Sequence, residues 1–375
     1  MNAFNARPLL SSVLVVLSAL SFTGCSPSQG RTREPLEAND ANDAYVAQYS
    51  PSVPESGFVY TADERGRSIS AIDLSSGWVK TIATRIAPHN VQVSQDGSQL
   101  LVVGGQFTED EDAADGHAET GTAERGELLL FDTSAITANG AIRVKVGSAP
   151  AYVVIDEQGK LAYVTDAMDN NLSVIDIRQR RIVNIIATGK MPNGLRLSPD
   201  GRELYVASVV GNSVSVIDVA RLVEVARIPV GKAPVQVAFT PDGRRAYVSL
   251  RDENSVAVID TVQRKQIATV AVGRNPIQVF ATPGGHYVYV ANQGTEANRD
   301  SMVSVIDTTN NSVVSTIETG KGAHGVVVSD DDRRAFIANI AGDSVSVIDT
   351  ATRVVIGTIK VGKGPNGITF RAANR

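Results

Sequence analysis

Two histidines and two asparagines carry the first chemical signal in this 375-residue chain. His89, Asn193, His324 and Asn366 each sit at the start of a short apolar run, in the frames HNVQV, NGLRL, HGVVV and NGITF. Imidazole is a ligand for zinc, copper, iron or haem, and carboxamides beside it can hold a polar ligand in place. A few residues upstream of such runs, a glycine is followed by a base five times, at Lys190, Lys232, Arg274, Lys321 and Lys363. Converging bases attract an anionic ligand or partner; scattered ones are exposed turn residues. The other histidines, His117 and His286, fall outside this frame. The sequence contains no GxSxG, HExxH or P-loop motif. Its single cysteine, Cys25, excludes an intramolecular disulfide and a cysteine-based metal site.

The elements that must position these residues are strands. Period-2 alternation recurs, as in Ala246-Tyr247-Val248-Ser249 and Val214-Ser215-Val216-Ile217-Asp218. An aspartate after Ile or Phe marks the phase at Asp73, Asp132, Asp176, Asp218, Asp260, Asp307 and Asp349, 42 to 59 residues apart. An aromatic stands 13 residues before the marker at Tyr60, Tyr163, Tyr205, Tyr247 and Phe336. Asp96-Gly97, Asp200-Gly201, Asp242-Gly243 and Gly284-Gly285 supply the positive φ that tight hairpins need, and Asp332 stands where a glycine is expected. The repeated aspartates are read as turn formers that accept backbone N–H bonds, not as catalytic or metal-binding carboxylates. One unit cannot bury both faces of its sheet, so the units must stack into one domain.

The segments YVTD, YVAS, YVSL, YVAN and FIAN, each followed by an SVSVIDT-like strand, resemble the YVTN-family β-propeller repeat over residues 57–370. The resemblance implies an all-β fold: a seven-bladed β-propeller of four-stranded antiparallel blades. Strands are named A to D from channel to rim. The chain begins with a B strand, Phe58–Ala62, and ends with an A strand, Gly367–Phe370. Pairing of the C-terminal strand with the N-terminal strands is therefore expected to close the ring. Closure makes His324, Asn366 and His89 neighbours at one channel mouth, the face carrying the B–C loops and D–A connections. The five bases form a partial crown on the same face. An acidic insertion, residues 106–126, belongs to it as well.

Residues 1–24 read as a signal peptide. Arg7 precedes an uncharged apolar run, Leu9–Phe22, shorter than the ~20 residues of a bilayer span. Phe22-Thr23-Gly24-Cys25 resembles a bacterial lipobox, which implies lipidation at Cys25. Residues 25–56 read as a disordered tether and 57–375 as the propeller. The expected location is the bacterial cell envelope, with the outer membrane implied for a Gram-negative cell. A net charge of -5 gives no reason to expect nucleic-acid binding.

Without a catalytic motif, the sequence favours a non-enzymatic binding or interaction scaffold. Its partners would be the membrane, through the lipid anchor, and an envelope protein or polymer. No cofactor is expected on this reading. The alternative is a lactonase-like or haem- or metal-binding propeller, an enzyme or redox accessory with its site at the channel mouth, where His89, His324, Asn366 and Asn193 are the candidate residues.

Overall fold

The computed structural model describes residues 43–48, 56–106 and 125–373. Cys25, the signal peptide, His117 and most of the acidic insertion lie outside the described residues.

Seven antiparallel sheets make the blades, six of four strands and one of five. Blade three is representative: A is Pro150–Ile155, B is Leu161–Asp166, C is Asn171–Asp176 and D is Arg181–Ala187. The A–B turns take positive φ at the expected residues: 72° at Gly97, 66° at Gly201, 69° at Gly243 and 75° at Gly285. Asp332 takes the same conformation at 63°, unusual for a residue with a Cβ. Its Oδ2 accepts a hydrogen bond from the Gly284 N–H of the neighbouring blade at 2.5 Å, which offsets part of that strain. The marker aspartates form turns as expected. Asp218 accepts from Arg221 N–H at 2.8 Å, Asp260 from Gln263 N–H at 2.8 Å and Asp349 from Thr352 N–H at 2.9 Å.

Ring closure follows the predicted topology. The last strand, Pro365–Ala372, pairs antiparallel with Gly57–Asp63, placing Thr369 opposite Tyr60 and Arg371 opposite Phe58. Hydrophobic clusters fill the spaces between blades. At the closing seam, Val59, Ile72 and Val79 pack against Phe336, Val345 and Ile359. The B-strand aromatics Tyr60, Tyr163, Tyr205, Tyr247, Tyr289 and Phe336 are all fully buried. Six of the seven blades thus contribute one aromatic side chain, and blade two contributes Leu100 and Leu101 instead, to a core that only neighbouring blades can complete.

One expectation needs correction. Within the range read as a disordered tether, Asp43–Gln48 is a strand, antiparallel to the D strand Trp78–Ala83 of blade one, with Asp43 opposite Ile82 and Gln48 opposite Trp78. An outermost strand presents a row of unpaired N–H and C=O groups, and the alternating DAYVAQ segment is close enough in sequence to use them. The short insertion in the sixth unit is a continuation of its hairpin. Tyr287–Gly294 and Arg299–Asp307 pair beyond the length of the other B and C strands.

Candidate functional site

The mouth is built by two loop sets stitched together through the backbone. Lys363 O accepts from Gly66 N–H, Lys190 O from Gly211 N–H, Arg274 O from Gly294 N–H and Lys321 O from Ala341 N–H, at 2.9 to 3.1 Å. For Lys232 the link is reversed, its N–H reaching Glu253 Oε1 at 3.0 Å. The main chains of all five bases thus fasten D–A connections to B–C loops, while their side chains are exposed. Arg274 lies 3.6 Å from Asp300. The crown is a structural turn motif that also displays positive charge.

Asn366, His89 and His324 meet where the ring closes. His89 Nδ1 lies 3.0 Å from Glu64 Oε1, and Asn366 Nδ2 donates to Glu64 Oε2 at 2.7 Å. Asn366 Nδ2 and His89 Nδ1 are 3.1 Å apart. Glu64 can only accept, so the Nδ1 proton belongs to the Glu64 bond and the Asn366–His89 approach is donor beside donor. That assignment leaves Nε2 with the lone pair of neutral His89, and among the described residues Nε2 has no hydrogen-bond partner. His324 Nδ1 contacts Asn366 O at 3.1 Å. Asn366 is buried, and its Oδ1 has no hydrogen-bond partner among the described residues.

Electrostatics couple the pair. Burial alone pushes the Glu64 carboxyl up, but the charge and hydrogen bond of His89, with help from Asn366 and His324, hold it down at about 2. Burial pulls His89 down, but Glu64 outweighs it and raises the imidazole above its ordinary value. Beneath the D–A connections lie two further carboxyls. Burial pushes Asp63 up to about 7 against hydrogen bonds from Ser70, Thr61 and Ser68, and Asp166 up to about 6 against those from Ser173 and Gly147. Asn292 and Asn339 occupy the equivalent place in blades six and seven. These residues latch the turns: Gly147 N–H reaches Asp166 Oδ1 at 2.9 Å, and Gly320 N–H reaches Asn339 Oδ1 at 3.1 Å.

Below the mouth a polar layer crosses the channel. The Tyr152 ring meets His89 edge-on at 5.8 Å between centroids. Gln278 donates to Tyr152 Oη at 3.0 Å and accepts from Val326 N–H at 3.1 Å, tying blade six to blades three and seven. Asn90 accepts from Val153 N–H at 3.3 Å. A Cβ on Gly367 would lie 2.8 Å from Asn90 Cα, so glycine is what permits the close packing of strands at this level.

Of the residues singled out by sequence, His89, His324 and Asn366 are brought together. Asn193 is not: it is the second residue of the A strand of blade four, Pro192–Leu197, across the ring, and its carbonyl accepts from Thr165 Oγ1 at 2.7 Å. His286 lies in an A–B turn on the opposite face, near Tyr287. Sequence reasoning missed Glu64, Tyr152 and Gln278. Glu64 was findable as the first B–C loop residue beside the closing strand. Tyr152, Gln278 and Asn90 share the column one residue after His89, where polar side chains interrupt an otherwise apolar strand. Among the described residues, no group of three or more His, Cys, Asp or Glu side chains is arranged to hold a metal ion.

The geometry defines a seven-bladed β-propeller with a polar, histidine-bearing channel mouth. The YNCE-like beta-propeller family matches residues 121–285, and the Cytochrome D1 heme domain family matches residues 246–362. No curated protein matches the chain. Among solved structures, hydrazine synthase of Kuenenia stuttgartiensis is similar, with a TM-score of 0.64 and 20% identity over 77% of this chain and 96% of that one. A putative 6-phosphogluconolactonase of Bacteroides fragilis gives 0.63 and 16% over 86% and 99%. Dihydro-heme d1 dehydrogenase NirN, in complex with DHE, gives 0.60 and 15% over 92% and 84%. At these identities the likeness establishes the fold. The matches also correct the expectation of a non-enzymatic protein. That reading rested on missing contiguous motifs, yet the similar propellers include a dehydrogenase, a synthase and a putative lactonase, and part of this chain matches a haem domain. A propeller assembles its site from single residues on separate blades, which leaves no contiguous motif to find.

Proposed function

We propose that the protein is a propeller enzyme or redox accessory that binds a haem-type tetrapyrrole at the channel mouth, with His89 as the iron-facing residue. The observation that carries this reading is the Glu64–His89 pair, with Nδ1 committed to the carboxylate and Nε2 left with the lone pair. A carboxylate behind a ligating imidazole fixes its orientation and raises its basicity. The raised pKa of His89 accords with that arrangement. The match of residues 246–362 to the Cytochrome D1 heme domain supports the same class of ligand.

The donor set fits such a group. An imidazole suits iron, and the exposed bases Lys190, Lys232, Arg274, Lys321 and Lys363 suit peripheral carboxylates. A bound haem would supply redox chemistry at its iron. The chain's own residues orient His89 through Glu64 and Asn366, and close the channel beneath it with Tyr152 and Gln278. Titration of the purified protein with haem, followed by absorption spectroscopy, tests the reading. Saturable binding with a shifted Soret band, lost in His89→Ala, is expected. Binding identical in the variant overturns His89 as ligand.

A second reading is favoured by the raised pKa of His89: as an imidazolium beside the basic crown, it would serve as a general acid toward a phosphorylated sugar lactone. Hydrolysis of 6-phosphogluconolactone by the wild type but not by His89→Ala would select it.

The apolar run Leu9–Phe22 and Cys25 support placing this activity in the cell envelope on a lipid anchor. Labelled palmitate should enter the wild type and not Cys25→Ala; labelling of both would remove the anchor from the proposal.

A further inference from the structure

We propose that the channel interior contains a second site, in which Arg196 binds the carboxylate of a small monoanionic organic acid. The proposal does not depend on how the mouth is used. A chamber of about 400 Å3 lies on the far side of the Tyr152–Gln278 layer and reaches the A–B turn face, near Ser94, Gln95, Glu157 and Asp330. Neither His89, His324 nor Glu64 lines it. That volume lies within the ~300–1,000 Å3 range of small-molecule sites.

Arg196 supplies the recognition group. Its guanidinium stands 5.3 Å from the Phe280 ring centroid, and among the described residues it makes no ion pair and no hydrogen bond. Arg196 is half-buried, so its charge is only partly hydrated and has no anionic partner to offset the loss, and burial lowers the arginine's pKa. A carboxylate would repay that cost through two parallel N–H···O bonds, which the planar fork of arginine favours.

The remaining walls set the ligand class. Val154, Phe280, Val327 and Ile368 are apolar and suit a compact hydrocarbon or aromatic body. Glu157 at the outer rim is exposed and repels a second negative charge. A monocarboxylate is therefore preferred over a dicarboxylate or a phosphate ester.

Isothermal titration calorimetry of the full chain tests this, with benzoate as the probe and benzyl alcohol, phthalate and inorganic phosphate as comparisons. Benzoate should bind the wild type, raise its thermal midpoint, and bind Arg196→Gln about tenfold more weakly or not at all. Arg196→Lys should recover part of the affinity, since it keeps the charge without the fork. His89→Ala should leave benzoate binding unchanged. The site is overturned if the wild type neither binds nor is stabilised by benzoate, or if Arg196→Gln binds it equally. Tighter binding of phthalate or phosphate overturns the ligand class. The wild-type thermal shift decides the matter should Arg196→Gln fail to fold.

Discussion

Glu64 Oε1 and His89 Nδ1 meet at 3.0 Å across the boundary between the first and second blades, with Asn366 of the closing strand bonded to the same carboxylate. The Glu64–His89 contact joins consecutive blades, whereas the Asn366 bond to the same carboxylate forms only when the ring is closed. Glu64→Gln keeps the shape and removes the charge that raises His89. Because burial then acts alone, the imidazole titration should move downward, below its wild-type position. Histidine NMR signals followed against pH check this. The sign for stability follows from both shifts. The His89 contribution is full below its unfolded pKa of ~6.5 and is lost as pH rises through its raised folded value. The Glu64 contribution is present above ~4.3 and is lost as pH falls through about 2. The pair therefore stabilises most between those unfolded values, and Glu64→Gln should flatten the stability profile there.

Blade number, strand order, closure and the face on which the candidate residues lie were legible because each is set by a local, repeated pattern: alternation, Asp-Gly turns and the marker aspartates. The neighbours His324, Asn366 and His89 were legible because closure places them side by side. Glu64 was missed although its place in the first B–C loop beside the closing strand was readable, because its contact with His89, 25 residues away on the next blade, leaves no periodicity in the sequence. The Asp43–Gln48 strand was hidden for a related reason. Its pairing is decided by the open edge of Trp78–Ala83 and not by its own polar flanks.

Deletion of residues 364–375 removes the A strand of blade one. It strips the ladder opposite Gly57–Asp63 and takes Ile368 and Phe370 from the cluster around Phe336 and Val59. Two such side chains contribute ~1.5–3 kcal/mol each, and a ladder bond ~0.5–1.5 kcal/mol. The loss is comparable with the whole ~5–15 kcal/mol stability of a domain. The truncated chain should show no cooperative melting by circular dichroism. An unchanged midpoint would sink the closure account.

Asp63 is wholly buried beneath the Gly362 turn, and its pKa is pushed up to about 7. A raised carboxyl contributes stability that is full below its unfolded pKa of ~3.9 and is lost as pH rises through the folded value. Above about pH 7 the folded protein must therefore hold a poorly solvated charge or take up a proton. Blades six and seven use Asn292 and Asn339 at this place, where the amide cannot ionise. Asp63→Asn should raise stability at pH ~8 by ~1–4 kcal/mol and have less effect near pH ~5. Chemical denaturation at the two pH values measures it, and equal effects at both would reject burial of Asp63 as the cause.

Asp332 sets two effects of similar size against each other. Its φ of 63° costs a side-chain-bearing residue ~1–2 kcal/mol relative to glycine, less for aspartate than for most. Its carboxylate accepts the Gly284 N–H at 2.5 Å, a charged bond worth ~1.5–3 kcal/mol when buried and less at this partly exposed turn. Asp332→Gly removes both, so its net effect should fall within ~1 kcal/mol of zero. Asp332→Ala keeps the strained backbone but loses the bond between blades six and seven, and should cost ~1–2 kcal/mol. Thermal denaturation of the two variants side by side separates the effects. If alanine proves as stable as the wild type, the Gly284 bond contributes nothing; if alanine proves no worse than glycine, the backbone strain contributes nothing.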